Sequence, residues 1–285
     1  MNFNIIGAGR LGKNLGIAIS INQIACLNSV CNTNLISASQ ACNEIGFGKA
    51  VSKITELPEA DITWITCKDD SIANIVSILS KEHLLKKGSL VIHCSGALNS
   101  DILEPLKKQG CYIASLHPLK AFSANLINAN AFAGVTCVME GDPEACSWLR
   151  EIFTQLKASA ITIQPEAKAI YHAAATIASN YLVTLASYSE ELFLQAGITP
   201  QQSKSMICHL MQSNIINLNE TNSIKKALTG PLVRGDTNTI ALHLEAINNY
   251  DINKLYKTLA LATLPLSDLP LETKENLKAI LGETS

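Results

Sequence analysis

The sequence predicts an α/β domain built on a doubly wound, mainly parallel sheet, followed by an all-α domain. Three observations carry that expectation. Short β-rich runs alternate with helical segments through the first half, a glycine-rich turn closes the first of those runs, and after Pro165 the strand signal almost vanishes. At 285 residues the chain is long enough for two domains, and the change of periodicity places the expected boundary between 1–164 and 165–285.

Residues 3–6 read as the first strand, and the helix expected at 10–22 sets Leu11, Leu15, Ala18 and Ile19 toward a sheet. A second strand is expected at 24–28 with a helix near 37–46, and a short third strand over 49–55. The fourth and fifth strands are expected at 62–67 and 89–94, with a helix at 71–79 after the fourth. Runs 112–116 and 134–139 read as the sixth and seventh, then a helix at 143–157 and a last strand at 160–163 close the half. Strand–helix–strand units of this length imply parallel strands joined by right-handed crossovers. The second half reads as helices at 165–196, 200–218, 223–228, 237–248, 252–264 and 272–281, punctuated by Gly197, Pro200, Pro265 and Pro270.

Composition narrows the function classes. Hydrophobic residues make up 47% and charged residues 16%, which excludes a disordered chain. The 22 basic against 24 acidic residues leave a net charge of −2, so electrostatics offers no case for a nucleic-acid or anionic-membrane partner. Nine cysteines without a C-x-x-C pair read as reduced thiols of a cytoplasmic protein, with no metal site implied. The first residues lack the pattern of a signal peptide. The uncharged stretch 169–189 contains His172, Asn180 and several Ser and Thr, and is expected to be a buried helix rather than a membrane span.

Gly7-Ala8-Gly9-Arg10-Leu11-Gly12 matches G-x-G-x-x-G directly after a strand and at the mouth of a helix. There the first glycine permits the tight turn, the second admits a pyrophosphate, and the third lets helix and strand pack closely. The alternative is a glycine turn with a structural role alone. In the second-strand region no carboxylate precedes Glu44, so nothing would repel a 2′-phosphate, whereas Ser29, Asn32, Thr33 and Arg10 could bind one. That favours NADP(H) over NAD(H). Two further strand-end loops, with Cys67 and Lys68 in one and Ser95 and Gly96 in the other, are candidates for the nicotinamide end or the substrate. Asp69 reads as a helix cap.

Hydride transfer to a carbonyl requires a proton donor. Lys168 and His172 lie one turn apart on the first long helix, and with Ala175 and Ser179 fall within about 40° of one meridian. Asn180 lies off that line. His172 reads equally as a satisfied core histidine, and Lys168 as an exposed first-turn residue. His117 follows a strand end and is a substrate-binding candidate, although a structural role suits it as well. Arg234, within Gly230-Pro231-Leu232-Val233-Arg234-Gly235-Asp236, could clamp a substrate carboxylate or lock its loop, with Asp236 as the helix N-cap.

Six motifs in order bring a family to mind: Gly7 to Gly12, His93 to Ala97, Ser115 to Leu119, Tyr171 to Ala175, Ser179 to Tyr181, and Gly230 to Asp236. Through them the chain resembles Rossmann-like oxidoreductases with a helical C-terminal domain of the 6-phosphogluconate dehydrogenase type. Within these it is similar to a subgroup described as a domain of unknown function, some bacterial members of which act as an alternative ketopantoate reductase. The resemblance implies NADPH-dependent reduction of 2-dehydropantoate, with Lys168 as proton donor, His172, Asn180 and Ser95 orienting the ketone, and Arg234 holding the carboxylate. Where those enzymes usually carry an asparagine four residues after the lysine, this chain has His172. An imine reductase resembling pyrroline-5-carboxylate reductase and a non-catalytic NADP-binding sensor or scaffold are the alternative readings. A homodimer joined through the helical domain would cover the apolar 169–189 helix; burial within one subunit would do so equally.

Overall fold

The computed structural model describes residues 1–123 and 127–282 of the chain, which forms two compact units, Met1–Ser179 and Asn180–Ser285. The first unit runs β1 (Asn2–Ile6), α1 (Arg10–Ile21), β2 (Cys26–Cys31), α2 (Leu35–Ile45), β3 (Lys49–Val51), β4 (Ile62–Ile65), α3 (Asp69–Lys81), β5 (Leu90–His93), α4 (Glu104–Lys107), β6 (Tyr112–Pro118), β7 (Thr136–Gly141), α5 (Pro143–Gln155) and β8 (Ser159–Thr162). These strands make one eight-stranded sheet in the order β3-β2-β1-β4-β5-β6-β7-β8. Neighbours are parallel except for the antiparallel pair β6 and β7. The expected fold class is the one observed.

Both faces of the sheet are covered, which explains why its strands read as continuous apolar runs. Successive residues alternate between two cores. Phe3, Ile5 and Trp64 join Leu15 and Ile19 of α1 and Phe153 of α5 on one face. Ile6, Ile65 and Val91 join Ile72, Val76 and Leu79 of α3 on the other. Trp64 meets the edge of Phe153 with ring centroids 6.2 Å apart. Fully burying side chains of this size contributes on the order of 2–3 kcal/mol each.

Several strand bounds differ from expectation, with consequences for the site. β2 continues to Cys31, β6 to Pro118 and β7 to Gly141, because ladder hydrogen bonds to their neighbours extend past the apolar runs. Ser29, His117 and Glu140 therefore lie inside strands. β3 stops at Val51 and gives way to a 3₁₀ turn over Ile54–Glu56.

A long helix, α6 (Lys168–Gln195), begins in the first unit after the 3₁₀ turn Pro165–Ala167 and continues into the second. The strand-to-helix change at Pro165 thus precedes the division between compact units. Expectation fails over 169–189, since Lys168 is the sole buried residue of α6 among those described. Ile170, Ile177 and Val183 are 73%, 62% and 69% exposed. The second unit continues with α7 (Pro200–Glu220), α8 (Pro231–Arg234), α9 (Thr237–Ala246), α10 (Tyr250–Thr263) and α11 (Leu271–Leu281), around a core of Leu232, Ile240, Ala260, Leu264, Leu277 and Leu281.

Candidate active site

The glycine turn is built as the motif requires. Gly7 has φ of +88°, and a Cβ there would lie 2.8 Å from the Cys67 backbone, so both conformation and space demand glycine. A Cβ on Gly12 would collide with Thr66 Oγ1, which keeps α1 close to the sheet. Gly9 differs, because its Cβ would meet nothing. It caps α1 without a side-chain cap, so the first-turn amides remain available to an anionic ligand. This is an arrangement that fits a dinucleotide pyrophosphate, with Ala8, Arg10 and Leu11 completing the loop.

A cavity of about 430 Å³ opens beside that turn, lined by Gly7, Asn32, Thr33 and Cys67 from the expected set. Asn32 is already committed, since its Oδ1 accepts the Ala8 amide at 2.7 Å and its Nδ2 donates to Ser37 O at 3.0 Å. It braces the turn. Ser29, expected to hold a phosphate, is 2% exposed within β2 and offers a ligand no surface. Thr33 and Arg10 are exposed. The turn after β3 adds Ser52, Lys53 and Thr55, and α3 adds Ser71 and Asn74, none of which sequence periodicity singled out.

A second cluster forms where β5, β6 and the start of α6 meet. Ser95 is saturated, its Oγ donating to Asp69 Oδ2 at 2.7 Å while accepting the amides of Ala97 and Leu98 at 3.2 and 2.9 Å. Asp69 is therefore the anchor of that loop and not the expected cap; Lys68, exposed, occupies the cap position of α3. His93 accepts the Ser95 amide at Nδ1 and donates from Nε2 to Asn99 O. Burial holds its pKa down to about 4, so it is neutral at pH 7.

Lys168 is 1% exposed, and among the described residues its Nζ has no hydrogen-bond partner. Burial lowers its pKa, against the opposing pull of Glu140, Cys94 and Asp69. Glu140 is likewise 1% exposed, accepts Ser100 N at 3.0 Å and Ser100 Oγ at 2.7 Å, and has its pKa raised by burial. A lone acid in an apolar strand was the sequence signal for it.

Tyr171, one turn face onward, lies with its ring centroid 5.9 Å from Lys168 Nζ and its hydroxyl 2.8 Å from His117 Nδ1. Burial pushes the Tyr171 hydroxyl up to about 12 and His117 down to about 4, so the hydroxyl donates and the neutral ring accepts. His172 meets His117 edge to face at 5.2 Å, and its Nδ1 is buried without a partner. A Cβ on Gly96 would strike that imidazole. Lys168, His172, His117 and Gly96 are thus brought together, with two buried nitrogens left unpaired among the described residues. Such nitrogens are costly unless something binds them.

Asn180 and Arg234 belong to the second unit. Asn180 is exposed on α6. Arg234 contacts Asp236 Oδ2 through Nε at 3.0 Å and through its terminal nitrogen at 2.8 Å, which is the loop-locking alternative. Asp236 occupies the cap position of α9 but makes no side-chain capping bond. Among the described residues no group of three or more His, Cys, Asp or Glu could hold a metal, and no helix is long and apolar enough to cross a membrane.

Residues 1–118 match the family model of a Rossmann-like domain, and residues 135–263 match a domain of unknown function, DUF2520. A Bacteroides fragilis protein provisionally described as an NADP oxidoreductase is similar in structure, with a TM-score of 0.78 at 20% identity over 93% of this chain and 98% of that one. A Thermotoga maritima protein gives 0.71 at 24% identity over the same shares, 93% and 98%. The 1-pyrroline-5-carboxylate reductase of Streptococcus pyogenes gives 0.61 at 13% identity over 96% and 98%. At these identities the likeness establishes the fold. No curated protein matches the chain.

Proposed function

We propose that the chain is an NADPH-dependent oxidoreductase that reduces 2-dehydropantoate to pantoate, for pantothenate and coenzyme A synthesis. The reading rests on the buried Nζ of Lys168, which has no hydrogen-bond partner among the described residues. An ammonium kept out of water without a partner is expensive to maintain, and the expense is understandable where a substrate oxygen supplies the missing acceptor.

The glycine turn, the first-turn amides of α1 and the adjoining cavity would hold the cofactor. When bound, NADPH supplies the hydride for C2 of the ketone. Lys168 donates its proton to the carbonyl oxygen, and its lowered pKa eases that loss. His172, packed on His117 with its Nδ1 against Gly96, would help to orient the ketone. The hydrogen-bonded Tyr171–His117 pair would hold the Tyr171 ring beside the Lys168 ammonium.

The pyrroline-5-carboxylate reductase likeness supports a second reading, reduction of a cyclic imine. Lys168 favours the ketone: an iminium already carries its proton, whereas an alkoxide must receive one. A sensor or scaffold that binds NADPH without turnover is the third reading. The chain works as a homodimer in the cytoplasm, as supported by the exposed apolar face of α6 and by nine free thiols.

The test is NADPH oxidation across a panel led by ketopantoate and pyrroline-5-carboxylate, for wild type and Lys168→Met. Ketopantoate turnover is expected, and the variant should lose about 10²-fold or more in kcat while its NADPH Kd changes by less than about two-fold. Wild-type turnover by the variant would remove Lys168 from the chemistry. Preference for the imine would favour the second reading, and NADPH binding without turnover the third.

A further inference from the structure

The cavity beside the glycine turn carries a specific charge. Of the residues that line it, Lys53 alone is charged, and none is a carboxylate. Its apolar walls, Ile54, Ile75 and Ile78, suit a flat base, while Thr33 and Ser52 offer hydroxyls at its rim. We propose that Lys53, on the turn after β3, is the residue that recognises the 2′-phosphate of NADPH and so sets cofactor choice. The inference rests on the dinucleotide reading above and goes beyond it by moving the phosphate cation from the glycine loop to a different strand end.

The other candidates fall away on geometry. Ser29 is buried in β2, and Asn32 spends its amide on Ala8 and Ser37. Arg10 is the first residue of α1 and does not line the cavity, so it is placed for the pyrophosphate end. Among the described residues Lys53 has no ion pair, and its backbone is held in place: Glu56 Oε2 accepts the amides of Ser52 and Lys53 at 3.1 and 3.2 Å. Its charge is felt at the end of β2, where it adds to the effect of burial in raising the Cys31 pKa. It does not line the cavity, and two amides already share its charge. It shapes the turn that presents Lys53, and the Lys53 charge in turn helps hold the Glu56 carboxyl below its ordinary value. A lysine is a point charge on a flexible stem, adequate for a phosphate at a cavity rim.

The experiment compares NADPH, NADH and adenosine 2′,5′-bisphosphate binding to the full chain, by fluorescence titration, for wild type, Lys53→Met and Arg10→Met. Wild type should prefer NADPH. Lys53→Met should weaken NADPH and the bisphosphate about ten-fold or more and leave NADH within about two-fold, as loss of one charge-assisted contact requires. Arg10→Met should weaken NADPH and NADH alike. Retained NADPH preference in Lys53→Met overturns the assignment, and loss of that preference in Arg10→Met instead returns the role to Arg10. Wild-type preference for NADH overturns the inference and the NADPH dependence of the proposed function, while leaving ketone reduction itself intact. Binding of neither dinucleotide overturns that reading itself. Lys53 is exposed, so a stable, folded variant is expected, and an unchanged melting temperature checks it.

Discussion

Lys168 illustrates how burying a single charged side chain costs stability. Its folded-state pKa lies below the unfolded value because burial disfavours the ammonium. Between those two values the unfolded chain binds the extra proton, so this group's contribution to stability rises with pH and is unfavourable at pH 7. The Lys168→Met variant is accordingly expected to melt a few degrees higher than wild type, as thermal unfolding at pH 7 would show. A lower melting temperature would mean that the ammonium is better compensated than its missing partner implies. Gly9 gives the complementary case. Its Cβ would enter open space, so Gly9→Ala should leave the melting temperature nearly unchanged. The same methyl would stand where the pyrophosphate approaches, and NADPH affinity should fall about ten-fold or more. Unaltered affinity in calorimetry would make this a structural turn only.

The ends of β5 and β6 carry a pH dependence of their own. His93 and His117 each sit at about 4 in the folded chain, below the unperturbed value of about 6.5. The unfolded chain therefore binds more protons between those limits, and their stability contribution, complete above about pH 6.5, is lost as pH falls toward 4. Glu140 on β7 acts in the opposite sense, because its raised pKa favours the folded state as the carboxyl becomes protonated. With two histidines against one carboxyl, melting temperature should decline on acidification from pH 6.5 to 4. A profile flat over that window would show these rings to be more hydrated than their burial indicates. The antiparallel β6–β7 pair matters here, since its register sets Glu140 opposite Ser115, whose hydroxyl bonds Ser95 O.

For the whole molecule, the exposed apolar face of α6 is the feature a lone chain leaves unexplained. Ile170, Ile177 and Tyr181, which fall within about 40° of one line along the helix, would be held in water. Light scattering is expected to give twice the 30.6 kDa chain mass, and Ile177→Glu should shift it toward the single-chain value. A wild-type mass of one chain at micromolar concentration would remove the dimer from the proposal.

Much was legible without coordinates because local physics imposes it. The G-x-G-x-x-G turn needs positive φ at Gly7 and tight packing at Gly12, and both appear as the motif demands. Alternation of Phe3, Ile5 and Ile6 between two cores follows from the pleat alone. The change at Pro165 reads directly as a change of periodicity. What depends on strand register was not legible. Ladder bonds carried β2 past Ser29 and removed it from the site, and they seated Glu140 in β7. Asp69 became a partner of Ser95 because two strand ends converge, a meeting 26 residues apart in sequence. Likewise Tyr171 reached His117, and Lys53 reached the cavity, only through the folded sheet. Sequence by itself determined the layer architecture, the glycine turn and the placement of Lys168 on the first long helix, since each follows from periodicity or backbone sterics. Tertiary structure alone decided which polar groups are spent on one another and which are left for a ligand, because hydrogen-bond satisfaction depends on distances between segments that no local pattern encodes.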